Sequence, residues 1–103
     1  MNELKSKADY IEKSNQKGKV VIEIYAPGCS PCQNLKEKVL PHLEDIESFV
    51  IDGTTYYEIL DIIKNKTGSP VSGVPVLMLY KDGQFIKRIN GFTNKKNIES
   101  EFV

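Results

Sequence analysis

The 103 residues predict a single domain over 1–103, and 40% apolar with 27% charged residues is the composition of an ordinary globular protein. Fourteen basic and fourteen acidic side chains cancel, so the charge gives no reason to expect nucleic acid or an anionic membrane as a partner. No stretch approaches the roughly 20 apolar residues of a membrane span, and charged residues 1–14 are unlike a signal peptide, so we expect a cytoplasmic protein.

The first predicted elements are an amphipathic helix and a buried strand. The helix is expected over 4–13 and ends before Gly18. Its inner face is expected to carry Leu4, Ala8 and Ile11. Residues 19–25, KVVIEIY, are β-branched and almost continuously apolar, which is typical of a strand buried on both faces.

A second helix is expected directly after this strand. Ala26-Pro27-Gly28 ends the strand, and Ser30-Pro31 has the chemistry of a helix start. The inward positions of this helix are Leu35, Val39 and Leu40, and its outward positions are Lys36, Glu37 and Lys38. Pro41 is expected to kink or break the helix because proline removes a backbone donor and crowds the preceding turn. A short strand is expected over 48–51.

The second half of the chain predicts one helix, a β-hairpin and a closing helix. The helix over 55–66 fits two registers, one with Tyr57, Leu60 and Ile63 inward and one with Tyr56, Ile59 and Ile63 inward. Residues 76–80 and 85–89 predict two strands, and the Asp82-Gly83 pair between them is a two-residue hairpin turn signal. The closing helix is expected over 94–102, with Ile98 and Phe102 facing inward.

This element order predicts an α/β fold with a mixed sheet. The first two strands are joined by a helical crossover and should be parallel, whereas the hairpin strands must be antiparallel. The simplest closure is a four-stranded mixed β-sheet flanked by helices on both faces.

Cys29 and Cys32 are the only cysteines, and they lie where the buried strand passes into a helix. A thiol at a helix N-terminus meets unpaired backbone N–H groups and the positive end of the helix dipole, both of which favour the thiolate. Cys29 is therefore expected to be the exposed nucleophile. Cys32, about one turn further in, is placed to attack the mixed disulfide as the resolving cysteine, while Ser30 and Pro31 form the turn between them.

The run VVIEIYAPGCSPC, followed much later by GVPVLMLYKDGQFIKRINGF, resembles the thioredoxin superfamily from Lys19 to Phe102. The resemblance implies a thioredoxin-like fold and a redox-active C-x-x-C. It also implies a cis-proline at Pro75 facing the sulfurs, with the backbone of Val74 pairing with an extended substrate by strand addition.

Two departures from the family pattern bear on the substrate-binding surface. Gly28 stands where thioredoxins usually have an aromatic residue, and Tyr25 occupies another position that is usually tryptophan. Both are expected to lie beside the site. The N-terminal strand of full-length thioredoxins is expected to be absent.

Glu23 falls where thioredoxins have a buried acid beneath the second cysteine. Burial would raise the pKa of its carboxyl group and make it a candidate for taking the proton of Cys32. The alternative is that strand alternation turns Glu23 outward to solvent. Because the strand reads as buried on both faces, we favour the buried position.

A zinc site is the main metal-binding alternative for a C-x-x-C pair. Zinc needs two further nitrogen or sulfur ligands, but His42 is the only histidine and there is no third cysteine. We therefore expect no metal, and His42 is interpreted as a surface or helix-end residue. Tyr56 and Tyr57 could line a binding face, although aromatic residues at helical spacing are more often part of the core.

The sequence thus predicts a monomeric, cofactor-free thiol–disulfide oxidoreductase that reduces protein disulfides. The resemblance implies a flavoprotein reductase using NADPH as the recharging partner, and a role in electron transport and cell redox homeostasis. The alternative is a non-enzymatic thioredoxin-fold binding module that holds a partner in the groove beside Pro75. Retention of both cysteines favours the enzyme.

Overall fold

A five-stranded mixed β-sheet forms the centre of the computed structural model, which describes residues 2–103. The strands are β1 (Asn2–Leu4), β2 (Lys19–Tyr25), β3 (Ile46–Asp52), β4 (Val76–Lys81) and β5 (Gln84–Asn90), in the spatial order β1-β3-β2-β4-β5. Strand β2 pairs in parallel with β3 and antiparallel with β4, and β4 pairs antiparallel with β5. The predicted mixed sheet and its strand directions are confirmed.

The sheet has one strand more than the sequence predicts. Strand β1 pairs in parallel with β3, with Leu4 opposite Ile51, so the expectation of a missing N-terminal strand is wrong. Strand β1 has only three residues, NEL, and nothing in so short a segment distinguishes it from the start of a helix. Its pairing with the edge of a distant strand decides its conformation.

Helix α1 (Lys7–Ser14) begins later and buries a different face than expected. The side chain of Ser6 caps it by accepting the N–H of Asp9 at 3.0 Å. Tyr10 is fully buried, whereas Ala8 and Ile11 are exposed, so the predicted inner face is wrong for these two residues. The Tyr10 hydroxyl hydrogen-bonds to that of Tyr80 in β4 at 2.8 Å, which fixes the helix orientation from across the core.

The helical segment after β2 changes its pitch along its length. It is an α-helix, α2, over Ser30–Asn34, a π-helix over Leu35–Val39 and a 3₁₀-helix over Leu40–His42. Pro41 lies in the last of these turns, and the segment ends at His42, as the predicted break at proline requires.

The remaining helices are α3 (Ile59–Thr67) and α4 (Lys95–Ser100). In α3, Ile59 and Ile63 are buried while Tyr57 is exposed, which selects the second predicted register. In α4, Ile98 is buried, and Phe102 just after the helix is buried as well, as predicted. None of the helices in residues 2–103 has the length and apolar character needed to cross a membrane.

Two apolar clusters cover the two faces of the sheet, so the predicted helices on both faces are confirmed. The first face packs against α1 and α3 and includes Tyr10, Ile22, Ile24, Phe49, Ile63 and Met78. The second packs against the helical segment over 30–42 and against α4, and it includes Val21, Leu35, Val39, Val50, Leu77 and Ile98. Successive β2 residues alternate between these clusters, which explains why the strand is apolar on both faces.

Candidate active site

The two cysteines lie at the carboxyl end of β2, where the chain turns into α2. Gly28 adopts a left-handed backbone conformation with φ of +81°, and the N–H of Cys29 donates to the Ala26 carbonyl at 3.3 Å, so the turn is closed by its own backbone. Cys29 is the N-cap of α2, and Pro31 lies in the first helical turn. Cys29 and Cys32 form a disulfide with their Cα atoms 5.3 Å apart.

The two sulfur-bearing residues differ in exposure. Cys29 is half-buried at the start of the helix, whereas Cys32 is only 2% exposed. The Sγ atom of Cys29 accepts the backbone N–H of Cys32 at 3.2 Å. A partner approaching from solvent therefore reaches Cys29 first.

Glu23 is completely buried in the middle of β2, which decides against the outward orientation. Within residues 2–103, neither carboxylate oxygen has a hydrogen-bond partner. Burial in this apolar setting raises the pKa of the Glu23 carboxyl to about 8, and the nearby charge of Lys36 lowers it in part. At neutral pH Glu23 is therefore mostly protonated.

A cavity of about 280 Å³ connects Glu23 with the cysteines. Its lining includes Glu23, Cys29, Cys32, Gln33 and Lys36. The buried carboxyl and the two cysteines therefore border one space.

Tyr25 forms one wall of this cavity. Its hydroxyl donates a hydrogen bond to the carboxylate of Glu3, and the Nζ atom of Lys36 lies 5.9 Å from its ring centroid. Burial, followed by the hydrogen bond to Glu3, raises the pKa of the Tyr25 hydroxyl. Tyr25 therefore stays neutral and acts as a packing surface beside the disulfide.

Pro75 lies at the same end of the central strands as the cysteines. Because β2 and β4 are antiparallel and Ile24 is opposite Val76, the end of β2 and the start of β4 meet there. The Val74–Pro75 peptide bond is cis, and the Pro75 carbonyl accepts the N–H of Gly91 at 2.8 Å. Pro75 is buried and Val74 is half-buried.

Other residues considered in the sequence lie away from the cysteines or on the surface. His42 is exposed at the far end of the helical segment, Tyr57 is exposed and Tyr56 is half-buried. Ser30 and Pro31 are exposed between the cysteines. In the part of the chain that the structure describes, no three His, Cys, Asp or Glu side chains cluster as metal ligands.

The sequence analysis does not identify two cationic residues that lie near this end of the strands. The sequence predicts Lys36 only as an outward-facing residue, yet it lines the cavity with Glu23. Its position four residues after Cys32, on the same side of a helix, is a signal that could have found it. Arg88 lines a second cavity beside Pro75, and no local pattern indicates this.

Comparison with known proteins agrees with this geometry. The sequence model of the thioredoxin family matches residues 3–102. A thioredoxin from Chlamydia caviae is 33% identical over 81 residues, covering 79% of this chain and 76% of the relative. A thioredoxin from Staphylococcus haemolyticus is 27% identical over 90 residues, covering 84% of this chain and 82% of the relative.

Solved structures show the same fold. The oxidised form of mitochondrial thioredoxin 3 from Saccharomyces cerevisiae superposes with a TM-score of 0.76 at 25% identity, covering 97% of this chain and 91% of that one. Thioredoxin from Fasciola hepatica gives a TM-score of 0.77 at 23% identity, covering 99% of this chain and 97% of that one. With the family match over 3–102 and the paired cysteines at the strand–helix junction, the chain belongs to the thioredoxin family and is a thiol–disulfide oxidoreductase.

Proposed function

We propose that this protein reduces disulfide bonds in other proteins, with Cys29 as the nucleophile and Cys32 as the resolving cysteine. The observation that carries the proposal is the difference in exposure, because Cys29 is accessible at the helix start whereas Cys32 is 2% exposed. A bulky substrate disulfide can therefore meet only the first sulfur.

In the first step the Cys29 thiolate attacks one sulfur of the substrate disulfide. A bond forms between Cys29 and that sulfur, the substrate S–S bond breaks, and the other substrate sulfur leaves as a thiolate. The N–H of Cys32, which donates to Cys29 Sγ at 3.2 Å, together with the helix dipole supports the thiolate form.

In the second step Cys32 attacks Cys29 Sγ, the bond between Cys29 and the substrate sulfur that it captured breaks, and that sulfur leaves as a thiolate as the Cys29–Cys32 disulfide forms. Cys32 must first lose its proton, and we propose Glu23 as the acceptor because both line one cavity. Burial raises the pKa of the Glu23 carboxyl to about 8, so this group can hold a proton taken from the Cys32 thiol near neutral pH. The rate of this step should rise with pH up to about 8.

The substrate is proposed to bind as an extended strand against the backbone of Val74, next to Pro75. Gly28 and Tyr25 complete the contact surface on the side of β2. The exposed Gly28, which has no side chain, supports this arrangement because it leaves the approach to Cys29 open.

We further propose a monomer that works in the cytoplasm in electron transport and redox homeostasis. Reduction of each substrate leaves the protein oxidised, so a second enzyme must return two electrons. The family membership supports an NADPH-dependent flavoprotein reductase in that role.

Insulin reduction by wild type, Cys29→Ser and Cys32→Ser tests the assignment, since the two variants carry the same chemical change three residues apart. Cys29→Ser should be inactive, whereas Cys32→Ser should accumulate a covalent mixed disulfide visible by mass spectrometry. Turnover by Cys29→Ser at the wild-type rate contradicts the assigned nucleophile. A doubly substituted protein that still retains a partner as tightly as wild type supports the binding module instead.

The direction of the reaction is tested by the midpoint potential of the Cys29/Cys32 couple. Equilibration in thiol–disulfide buffers should give a two-electron transition near about −270 mV. A potential above about −180 mV contradicts the reducing role.

A further inference from the structure

Arg88 in β5 fixes the loop that leads to Pro75. It is the only arginine in the sequence. Its Nη1 donates to the hydroxyl of Thr67 at 3.1 Å and to the carbonyl of Ser69 at 2.7 Å, and Nη2 donates to the carbonyl of Pro70 at 3.1 Å. Its Nε donates to Oδ1 of Asn90 at 2.8 Å. The planar fork of a guanidinium suits this set of acceptors, which a lysine could not reproduce.

The positive charge of Arg88 has no negative partner in residues 2–103. All four of its acceptors are neutral oxygens, and none of the ion pairs of the described chain includes it. A guanidinium has five N–H groups, so one N–H on Nη2 remains available. Arg88 is half-buried, which reduces the screening of its charge by water.

This charge lies beside the residues proposed to bind the substrate. Arg88 lines a cavity of about 340 Å³ together with Ser72, Val74, Pro75 and Asn90, and it is the only charged residue in that lining. A peptide strand paired with Val74 therefore passes beside a pocket with a fixed positive charge and several neutral polar groups. A carboxylate suits such a pocket because it would gain a charge-assisted hydrogen bond.

We propose that Arg88 is a specificity-determining residue that favours substrates with an aspartate or glutamate within three residues of the reacting cysteine. The inference rests on the proposed function, because it requires a substrate strand beside Cys29. Arg88 makes no contact with the reacting sulfurs and acts on the choice of substrate.

The test uses cysteine peptides linked by a disulfide to 2-nitro-5-thiobenzoate. The Cys29 thiolate attacks the peptide sulfur, a Cys29–peptide disulfide forms, and the coloured thiolate leaves because it is the more acidic thiol. Aspartate, asparagine and lysine are placed in turn at each of the three positions on either side of the cysteine. The second-order rate constant is measured for reduced wild type, Arg88→Gln and the matched control Lys87→Gln. Lys87 is the exposed neighbour, and along a strand it points to the opposite face.

At one or more positions, wild type and Lys87→Gln should prefer aspartate over asparagine by about three- to tenfold at low salt. Arg88→Gln should react with the two peptides at nearly equal rates. An equal loss of rate for both peptides would mean that Arg88 only holds the loop, and this result overturns the proposal. So does the absence of any acidic preference in wild type, or its persistence in Arg88→Gln.

A second measurement needs no variant, in case removal of the loop contacts unfolds the protein. The aspartate preference of wild type should fall towards one as the ionic strength rises from about 0.01 to about 1 M, because salt screens the charge. A preference unchanged by salt overturns the proposal. Loss of reaction with every peptide in Cys29→Ser, and rapid reaction in wild type, establish separately that the proposed nucleophile is correct.

Discussion

Replacing Glu23 by glutamine should stabilise the oxidised protein by an amount that grows with pH. The native state holds a proton on this buried carboxyl up to about pH 8, whereas the unfolded chain releases it near pH 4.5. Each pH unit between these values costs the folded state about 1.4 kcal/mol. The cost therefore begins near pH 4.5, increases up to about pH 8 and is constant above that.

The size of this stability difference at pH 7 follows from the interval between the two pKa values of Glu23. Between pH 4.5 and pH 7 the wild-type protein loses about 3 kcal/mol of stability that Glu23→Gln retains. Burial contributes most of this cost because neither carboxylate oxygen has a hydrogen-bond partner in the described structure, and Lys36 offsets only part of it. The amide of glutamine is also buried without a partner, but its cost does not change with pH.

The assay is equilibrium unfolding in urea of both oxidised proteins at pH 4.5, 7 and 9. Glu58→Gln is the matched control, since Glu58 is exposed and the same chemical change there removes a carboxyl group from the surface. The stability difference between Glu23→Gln and wild type should increase by about 3 kcal/mol from pH 4.5 to pH 7. A difference that is constant across this range refutes the buried, proton-retaining carboxyl.

Three further outcomes are expected. Lys36→Met should raise the pKa of Glu23 further, because the lysine charge opposes the effect of burial; an NMR titration of the Glu23 carboxyl measures this, and an unchanged or lower pKa contradicts it. Tyr10→Phe should cost about 1–2 kcal/mol in urea unfolding because it leaves the buried Tyr80 hydroxyl without its 2.8 Å partner, and Tyr80→Phe on top of it should cost little more. Ile63→Ala should cost about 2–5 kcal/mol, since Ile63 is completely buried, and a smaller loss would mean that the core closes around the gap.

Much of the sheet could be predicted because its signals are local. The run KVVIEIY is apolar on both faces, and it is indeed covered on both sides of the sheet. The Asp82-Gly83 signal gives the observed hairpin turn, with positive φ at both residues. In each case a few neighbouring residues contain the information that decides the structure.

The wrong predictions concern elements whose structure depends on a contact with a distant part of the chain. Helix α1 buries Tyr10 because Tyr80, 70 residues away, offers its hydroxyl, and no pattern within α1 shows this. Strand β1 forms because β3 presents a free edge. The same distinction holds at the site. The cysteine pair is a local motif and could be predicted, whereas the contacts of Arg88 with the loop join residues 18 to 21 positions apart and could not.

The disulfide crosses only three positions of the chain, and this separates the redox chemistry from the stability of the fold. In chain-entropy terms such a short loop constrains the unfolded state by about 2 kcal/mol, compared with about 4–5 kcal/mol for a loop of a hundred residues. The two apolar clusters that pack the sheet against its helices include neither cysteine. We therefore expect the protein to gain and lose two electrons repeatedly while its architecture stays the same.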